Sequence, residues 1–279
     1  MRLCYLVGYP VEHSMSPAMH NAAFKALGLD AEYRLAPVKP EQLEEFIDKL
    51  REDEAIGASV TIPHKMEVMR HLDHVDETAR AIGAVNTIVH REGRLYGYNT
   101  DSTGGVGALM EEYGSLEGRN VTILGAGGAS RAITYQVSRV DCKVMVLNRS
   151  VERARNLVDD LRPQTSAELR YGGLTQLPGV IDDTDVLINT TSVGMSPNTS
   201  DSPVPEELLH GGLFVYDVIY NPMKTRLLRD AEEKGVGVLN GVQMLVYQGA
   251  EAFKMWTGAE PPIDLMQRVV EERLGGGTG

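Results

Sequence analysis

Lys65 stands two residues beyond Pro63, where the apolar run 55–63 closes in Ser-Val-Thr-Ile-Pro. Asp101 ends Asn99-Thr100-Asp101, just past the strand-like run 94–99. Ligands of open α/β sheets bind beyond the carboxyl ends of strands, so a lysine placed there is a candidate proton donor or anion contact. The other reading is an ordinary solvated lysine. His64 beside it reads as a structural or surface residue. Ser14 and Ser16 bracket Met15 ahead of Pro17, and Pro17 fits the first helical position. Two hydroxyls around a helix start make a carboxylate or phosphate site; capping by Ser16 alone is the alternative. Thr61 and Asn86 also fall near strand ends. Polar groups recurring at such ends, with apolar strands between, point to one pocket.

A second group lies in 121–132, Val-Thr-Ile-Leu-Gly-Ala-Gly-Gly-Ala-Ser-Arg-Ala. An apolar strand, a glycine turn and a helix start form the opening of a dinucleotide-binding βαβ unit. Gly125 permits the turn, Gly127 lets backbone approach a pyrophosphate, and the helix N-terminus offers free N–H groups. Ser130 occupies the third glycine position, so the pattern alone also fits an ordinary glycine turn. The next strand, 142–147, ends at Asn148-Arg149-Ser150. About 20 residues past the glycines an NAD enzyme sets Asp or Glu on the ribose 2′-hydroxyl. Here the tip carries Arg149, with Arg153 four residues on, which suits the 2′-phosphate of NADP.

The elements that would position these residues alternate along the chain. Strands are predicted at 3–8, 31–36 and 55–63, with helices over 18–27 (Ser16 as N-cap) and 41–52, where Leu43, Phe46, Ile47 and Leu50 share one face. A hairpin, 83–91 and 94–99, turns at Glu92-Gly93. Gly104-Gly105 reads as a flexible joint before a helix over 106–113. Strands at 121–124, 142–147, 167–171, 185–189, 213–219 and 236–239 then alternate with helices, which predicts a parallel, doubly wound sheet. The turn 190–195, starting at Thr190, follows one of these strands on the side where a nicotinamide would lie. Helices 242–257 and 264–274 have no strand partner after them, so the simplest packing returns them to the first domain. The fold class is α/β in two domains: a substrate domain, 1–101 completed by 240–279, and a Rossmann-type domain, 102–239. The tail 275–279 reads as disordered.

With 279 residues, two domains are expected, and 42% hydrophobic with 24% charged residues is ordinary for a globular protein. A net charge of −12 argues against a nucleic-acid surface. No run reaches the ~18 apolar residues of a membrane helix, and no signal-peptide layout opens the chain. Cys4 and Cys142 read as buried reduced thiols of a cytoplasmic protein. No metal is expected, since cysteine and histidine spacing shows no ligand pattern.

Together the motifs resemble the shikimate dehydrogenase family over nearly the whole chain. They are Gly8-Tyr9-Pro10-Val11, His13-Ser14-Met15-Ser16-Pro17, His20-Asn21, Val60-Thr61-Ile62-Pro63-His64-Lys65, Gly83-Ala84-Val85-Asn86-Thr87 and Asn99-Thr100-Asp101. Later come the glycine stretch, Asn148-Arg149-Ser150, Asp217-Val218-Ile219-Tyr220-Asn221-Pro222, and Asn240-Gly241 with Met244-Leu245 and Gln248. The resemblance implies NADPH-dependent, reversible reduction of 3-dehydroshikimate to shikimate in a cleft between the domains, within aromatic amino-acid synthesis. It implies Lys65 and Asp101 as catalytic pair, and Ser14 and Ser16 on the substrate carboxylate. Thr61, Asn86, Tyr220 and Gln248 would surround the ring. Gly125, Ala126, Gly127, Gly128, Ala129, Asn148, Arg149, Ser150, Arg153, Thr190, Val218 and Gly241 would bind the cofactor. Two positions depart from the family pattern: Ser59 where Asn is usual, and Ser150 where Thr is usual. Ser150 keeps a hydroxyl, so the NADP expectation stands. Reduction of a ketone calls for a general acid at the developing alkoxide, and a carboxylate beside a lysine favours the ammonium form. Gly104-Gly105 and Asn240-Gly241 are candidate hinges. The alternatives are a quinate-active relative with relaxed cofactor use and a non-catalytic sensor of shikimate-type metabolites. The expected state is a cytoplasmic monomer or homodimer with small-molecule partners only.

Overall fold

Leu3, Cys4, Leu6 and Val7 are buried along β1 (Arg2–Gly8), the strand from which the first sheet grows on both sides. The computed structural model describes residues 1–51 and 55–276. These fall into two units, Met1–Gly104 with Leu245–Gly279, and Gly105–Met244.

In the first unit α1 (Ser16–Ala26) leads to β2 (Ala31–Pro37), parallel to β1. A 3-10 turn at Pro40–Gln42 and the short α2 (Leu43–Lys49) precede β3 (Ala55–Val60), parallel to β1 on its other side. The predicted helix over 41–52 is thus shorter, with its first turn wound tighter behind Pro40; its end at Glu52 lies outside the described residues. β4 (His74–Val75) and α3 (Glu77–Ile82) occupy a stretch with no readable periodicity, α3 being capped by the Asp76 side chain. β5 (Thr87–Arg91) and β6 (Arg94–Tyr98) form the expected hairpin, turning through left-handed Glu92 (φ 50°) and Gly93 (φ 74°). The order is β2-β1-β3-β5-β6-β4, over a core that includes Val7, Ile47, Ala58, Val68, Ile88 and Leu95.

α4 (Asp101–Tyr113) begins five residues before the predicted start. Asn99 Oδ1 accepts from Ser102 N (3.2 Å), and Gly104 N already donates to Thr100 O (3.1 Å). Gly104 and Gly105 therefore sit inside a helix, not in a flexible joint ahead of one. Two further boundaries differ. β3 ends at Val60, and Thr61-Ile62-Pro63 turns away from it. α1 has Met15 as N-cap with no side-chain capping bond, so Ser16 is not the cap; the Ser14 hydroxyl instead accepts from Ser16 N (3.2 Å).

The second unit runs β7 (Asn120–Leu124), α5 (Gly128–Val137), β8 (Lys143–Asn148), α6 (Val151–Leu161), β9 (Glu168–Gly173), α7 (Leu177–Val180), β10 (Val186–Asn189), β11 (Phe214–Asp217), α8 (Arg226–Glu233) and β12 (Gly237–Leu239). All pairs are parallel, in the order β12-β11-β10-β7-β8-β9. The order reverses between β7 and β10, the switch point at which doubly wound sheets bind ligands.

α9 (Val242–Thr257) and α10 (Ile263–Gly275) close the chain. α10 lies against α1. Phe253 and Trp256 of α9 join Phe24, His20 and Tyr33, and Trp256 Nε1 donates to Ile88 O at 2.9 Å. The tail past Gly276 lies outside the described residues. Among those residues no helix is long and apolar enough to cross a membrane.

Candidate active site

Strand direction decides which loops of the first unit share an edge. β1 and β3 are parallel, so the turns after Gly8 and Val60 leave the same edge. β5 runs antiparallel to β3, with Ser59 opposite Thr87, so its start at Asn86 lies there too. β6 is antiparallel to β5, with Tyr98 opposite Thr87, and its end leads into Asn99-Thr100-Asp101 at that edge. Ser14 and Ser16, Thr61 and Lys65, Asn86, and Asp101 thus all leave one edge of one sheet.

Lys65 Nζ donates to Asp101 Oδ2 at 2.5 Å, with the two side chains only 14% and 5% exposed. Around them the backbone is tied down. Val85 N donates to Lys65 O (2.7 Å), Thr61 N to Val7 O (2.8 Å) and Tyr9 N to Ile62 O (2.9 Å). The His64 ring is buried, 2.6 Å from Val38 O through Nε2. A carbonyl can only accept, so Nε2 carries the proton and tethers the lysine loop to the segment after β2. Asn86 is buried and well bonded. Its Oδ1 accepts from Thr100 N (2.8 Å) and Thr87 Oγ1 (3.0 Å); its Nδ2 donates to Thr100 Oγ1 (3.0 Å) and, at 3.4 Å, to Gln248 Oε1. The structure therefore joins Lys65, Asp101, Asn86 and Gln248 in one bonded neighbourhood, with Thr61 on the same loop as Lys65. A partly buried lysine hydrogen-bonded to a buried carboxylate, with hydroxyl and amide groups around it, can deliver a proton to a bound ligand.

In the second unit Gly125 is required twice over. Its φ is +114°, and a Cβ there would stand 2.5 Å from Thr190 Oγ1. The Thr190 hydroxyl in turn donates to Leu124 O (2.6 Å). Ser130, in the third glycine position, donates its hydroxyl to Gly125 O at 2.7 Å, so the turn is braced by a hydrogen bond where a glycine would give close packing. Gly127 has φ −94° and ψ −170°, and a Cβ there would meet nothing within 4 Å. Neither backbone nor packing asks for glycine. What its bare backbone leaves clear is the approach to the N-terminus of α5, beside Ala126, Gly128 and Ala129, and helix N-termini of this kind can receive anions. At the end of β8, Asn148 Nδ2 donates to Ser150 O (2.9 Å), and Ser150 caps α6 by accepting from Arg153 N. Arg149 and Arg153 are exposed on either side of that cap and form no ion pair among the described residues. Gly241 lies so close to Val218 that a Cβ would stand 2.0 Å from Val218 O, which brings these two candidates together. Tyr220 stands in the turn after β11.

One buried network here escapes sequence reasoning. Asp217 Oδ1 accepts from Asn189 Nδ2 (3.0 Å) and Ile219 N (3.1 Å), and Oδ2 from Thr225 Oγ1 (2.7 Å). Asn189 Oδ1 accepts from Thr191 N and Oγ1. The turns carrying Thr190 and Val218 are thereby held to one carboxyl group. Burial pushes that carboxyl up to about 6, against the opposing pull of its three hydrogen bonds.

Fold and site together define a two-unit α/β protein whose second unit is Rossmann-type and whose first carries a partly buried Lys–Asp pair. Family models match in three places: the shikimate dehydrogenase substrate binding domain over residues 6–88, shikimate / quinate 5-dehydrogenase over 108–198, and the shikimate 5′-dehydrogenase C-terminal domain over 241–271. The chain belongs to the shikimate dehydrogenase family. It is 48% identical to the shikimate dehydrogenase (NADP(+)) of Pyrococcus abyssi, over 99% of this chain and 100% of that one. It is also similar to a solved shikimate dehydrogenase in complex with NADP+ (TM-score 0.92, 41% identity, 98% of this chain and 96% of that one). A third likeness is to the Thermus thermophilus shikimate 5-dehydrogenase in complex with NADP(H) and shikimate (TM-score 0.86, 37% identity, 98% and 99% coverage).

Proposed function

We propose that this chain catalyses the reversible reduction of 3-dehydroshikimate to shikimate with NADPH. The observation that carries the reading is the 2.5 Å Lys65–Asp101 contact, shielded from water and bonded through the backbone of Lys65 to the segment holding Asn86. Bound NADPH supplies the hydride. The chain's own residues then have three tasks. Lys65 gives its Nζ proton to the ketone oxygen as negative charge develops there, and takes it back from the hydroxyl in the oxidising direction. Asp101 holds the ammonium in place. Ser14 and Ser16, at the start of α1, receive the substrate carboxylate, while Thr61, Asn86, Tyr220 and Gln248 take the ring hydroxyls.

The unit Met1–Gly104 with Leu245–Gly279 is the substrate domain in this reading, and Gly105–Met244 the NADP domain. In the latter, Gly125, Ala126, Gly127, Gly128 and Ala129 cradle the pyrophosphate, and Arg149 and Arg153 with Asn148 and Ser150 receive the 2′-phosphate. Thr190, Val218 and Gly241 border the nicotinamide. The protein works in the cytoplasm as a monomer or homodimer. One family model covers shikimate and quinate dehydrogenases alike, so the deciding experiment compares kcat/KM for shikimate and quinate, each with NADP and NAD. Shikimate with NADP should win by a wide margin; quinate at parity would make this a broader dehydrogenase.

A further inference from the structure

We propose that the contact between α4 and α9, centred on Gly104, positions Gln248 in the substrate site. The inference rests on the reading of Gln248 as a substrate contact. Gly104 lies one turn after Asp101 in α4. A Cβ on Gly104 would stand 2.7 Å from Gln248 N and 3.1 Å from both Gln248 Cα and Cβ. The two helices therefore meet backbone to backbone at the residue that presents the amide. A companion bond braces the same crossing: Thr103 Oγ1 donates to Glu251 Oε2 at 2.5 Å.

Glycine inside a helix is less favourable than alanine, so its presence asks for a reason. Gly107, one turn further along α4, shows what a helical glycine without packing demand looks like: a Cβ there meets nothing within 4 Å. Gly104 differs, because any side chain would have to push α9 away. The Gln248 amide is itself short of freedom. Nε2 donates to Leu245 O (2.7 Å) in its own helix, and Oε1 faces Asn86 Nδ2 at 3.4 Å. With the side chain folded back on α9, the place of that helix sets the place of the amide. The first turn of α4 is anchored independently, through Asn99 and through Thr100 to Asn86, so α9 is the partner that gives way. Gly104 is thus a positioning residue that acts through Gln248, and its value lies in close approach and not in flexibility.

The test is Gly104→Ala, measured with Gln248→Ala and with the double variant. Since a shift of about 1 Å can cost up to ~10²-fold, shikimate KM should rise about ten- to a hundredfold in Gly104→Ala. The kcat and the NADP KM should stay near wild type. In the Gln248→Ala background the same substitution should add almost nothing, because the two act as one unit. Gly107→Ala should leave all constants unchanged. A wild-type KM in Gly104→Ala, additive effects in the double variant, or a loss confined to kcat overturns the proposal. Should Gly104→Ala fail to fold, Thr103→Val removes the companion bond from an exposed side chain. A raised shikimate KM with intact kcat then supports the proposal, and an unchanged KM overturns it. A wild type without shikimate activity defeats the functional reading instead.

Discussion

Replacing Lys65 with Met keeps most of the length of the side chain and removes its charge. The structure sets two magnitudes for the consequence. The lost partner is 2.5 Å from Asp101 Oδ2, and the Asp101 side chain is 5% exposed, so its carboxylate cannot turn to water for compensation. Breaking a buried pair from one side destabilises by about 3–5 kcal/mol; some exposure at Lys65 places the expected value near the lower end. The kinetic loss is separate. If Lys65 protonates the alkoxide, its contribution is made in the transition state, and kcat should fall by about 10²–10⁴-fold. Shikimate KM should move far less, because Ser14, Ser16 and the ring contacts remain. Asp101→Asn should also lower kcat, leaving the partly buried Lys65 without its carboxylate partner. In Lys65→Met/Asp101→Asn, stability should partly return, since no lone charge is left, while kcat stays about as low as in either single variant. Steady-state kinetics, calorimetric substrate affinity and urea unfolding of the three proteins read all of this. Near-normal kcat with a large rise in KM for Lys65→Met would rule out Lys65 as proton donor and make it a substrate anchor.

Three further outcomes are expected. Arg149→Ala should raise the NADP KM about tenfold or more, the worth of one charge-assisted contact of about 1.5–3 kcal/mol, while NAD use stays the same; equal use of both cofactors by the wild type contradicts this. Ser14→Ala/Ser16→Ala should raise shikimate KM and leave NADP binding alone, and since Ser16 is not the cap of α1, a loss of thermal stability without a KM change would remove both serines from the site. Asp217, held near 6 against an ordinary 3.8, binds its proton more tightly in the fold than in the unfolded chain, so its contribution to stability falls as pH rises through that window. Urea unfolding at about pH 4.5 and 6.5 should show a smaller decline for Asp217→Asn than for the wild type; identical declines would mean the carboxyl is not perturbed.

The second unit is legible in the sequence because strands buried on both faces are written as continuous apolar runs, such as Val144, Val146 and Leu147 in β8. The place of Arg149 is legible as well, since the apolar run of β8 ends just before it and leaves it exposed at the strand tip. The region of β4 and α3 is not, since Val75, Ala79 and Ile82 are too few to show a period. The start of α4 is hidden by Gly104 and Gly105, which look like breakers until α9 is seen against the first of them. Ser16 does not take its expected place as N-cap of α1, because Pro17 marks a helix start only to within a residue. The tether from His64 to Val38 and the network of Asn189, Asp217 and Thr225 join residues distant in sequence or generic in type, so nothing local announces them.

The most direct measurement mixes wild-type protein with NADPH and 3-dehydroshikimate and follows NADPH absorbance while shikimate is quantified. NADPH should disappear in step with shikimate formation, one for one, and the reaction should run backwards from shikimate and NADP. Calorimetric binding of both ligands with no consumption of NADPH would contradict it and leave a sensor in place of an enzyme.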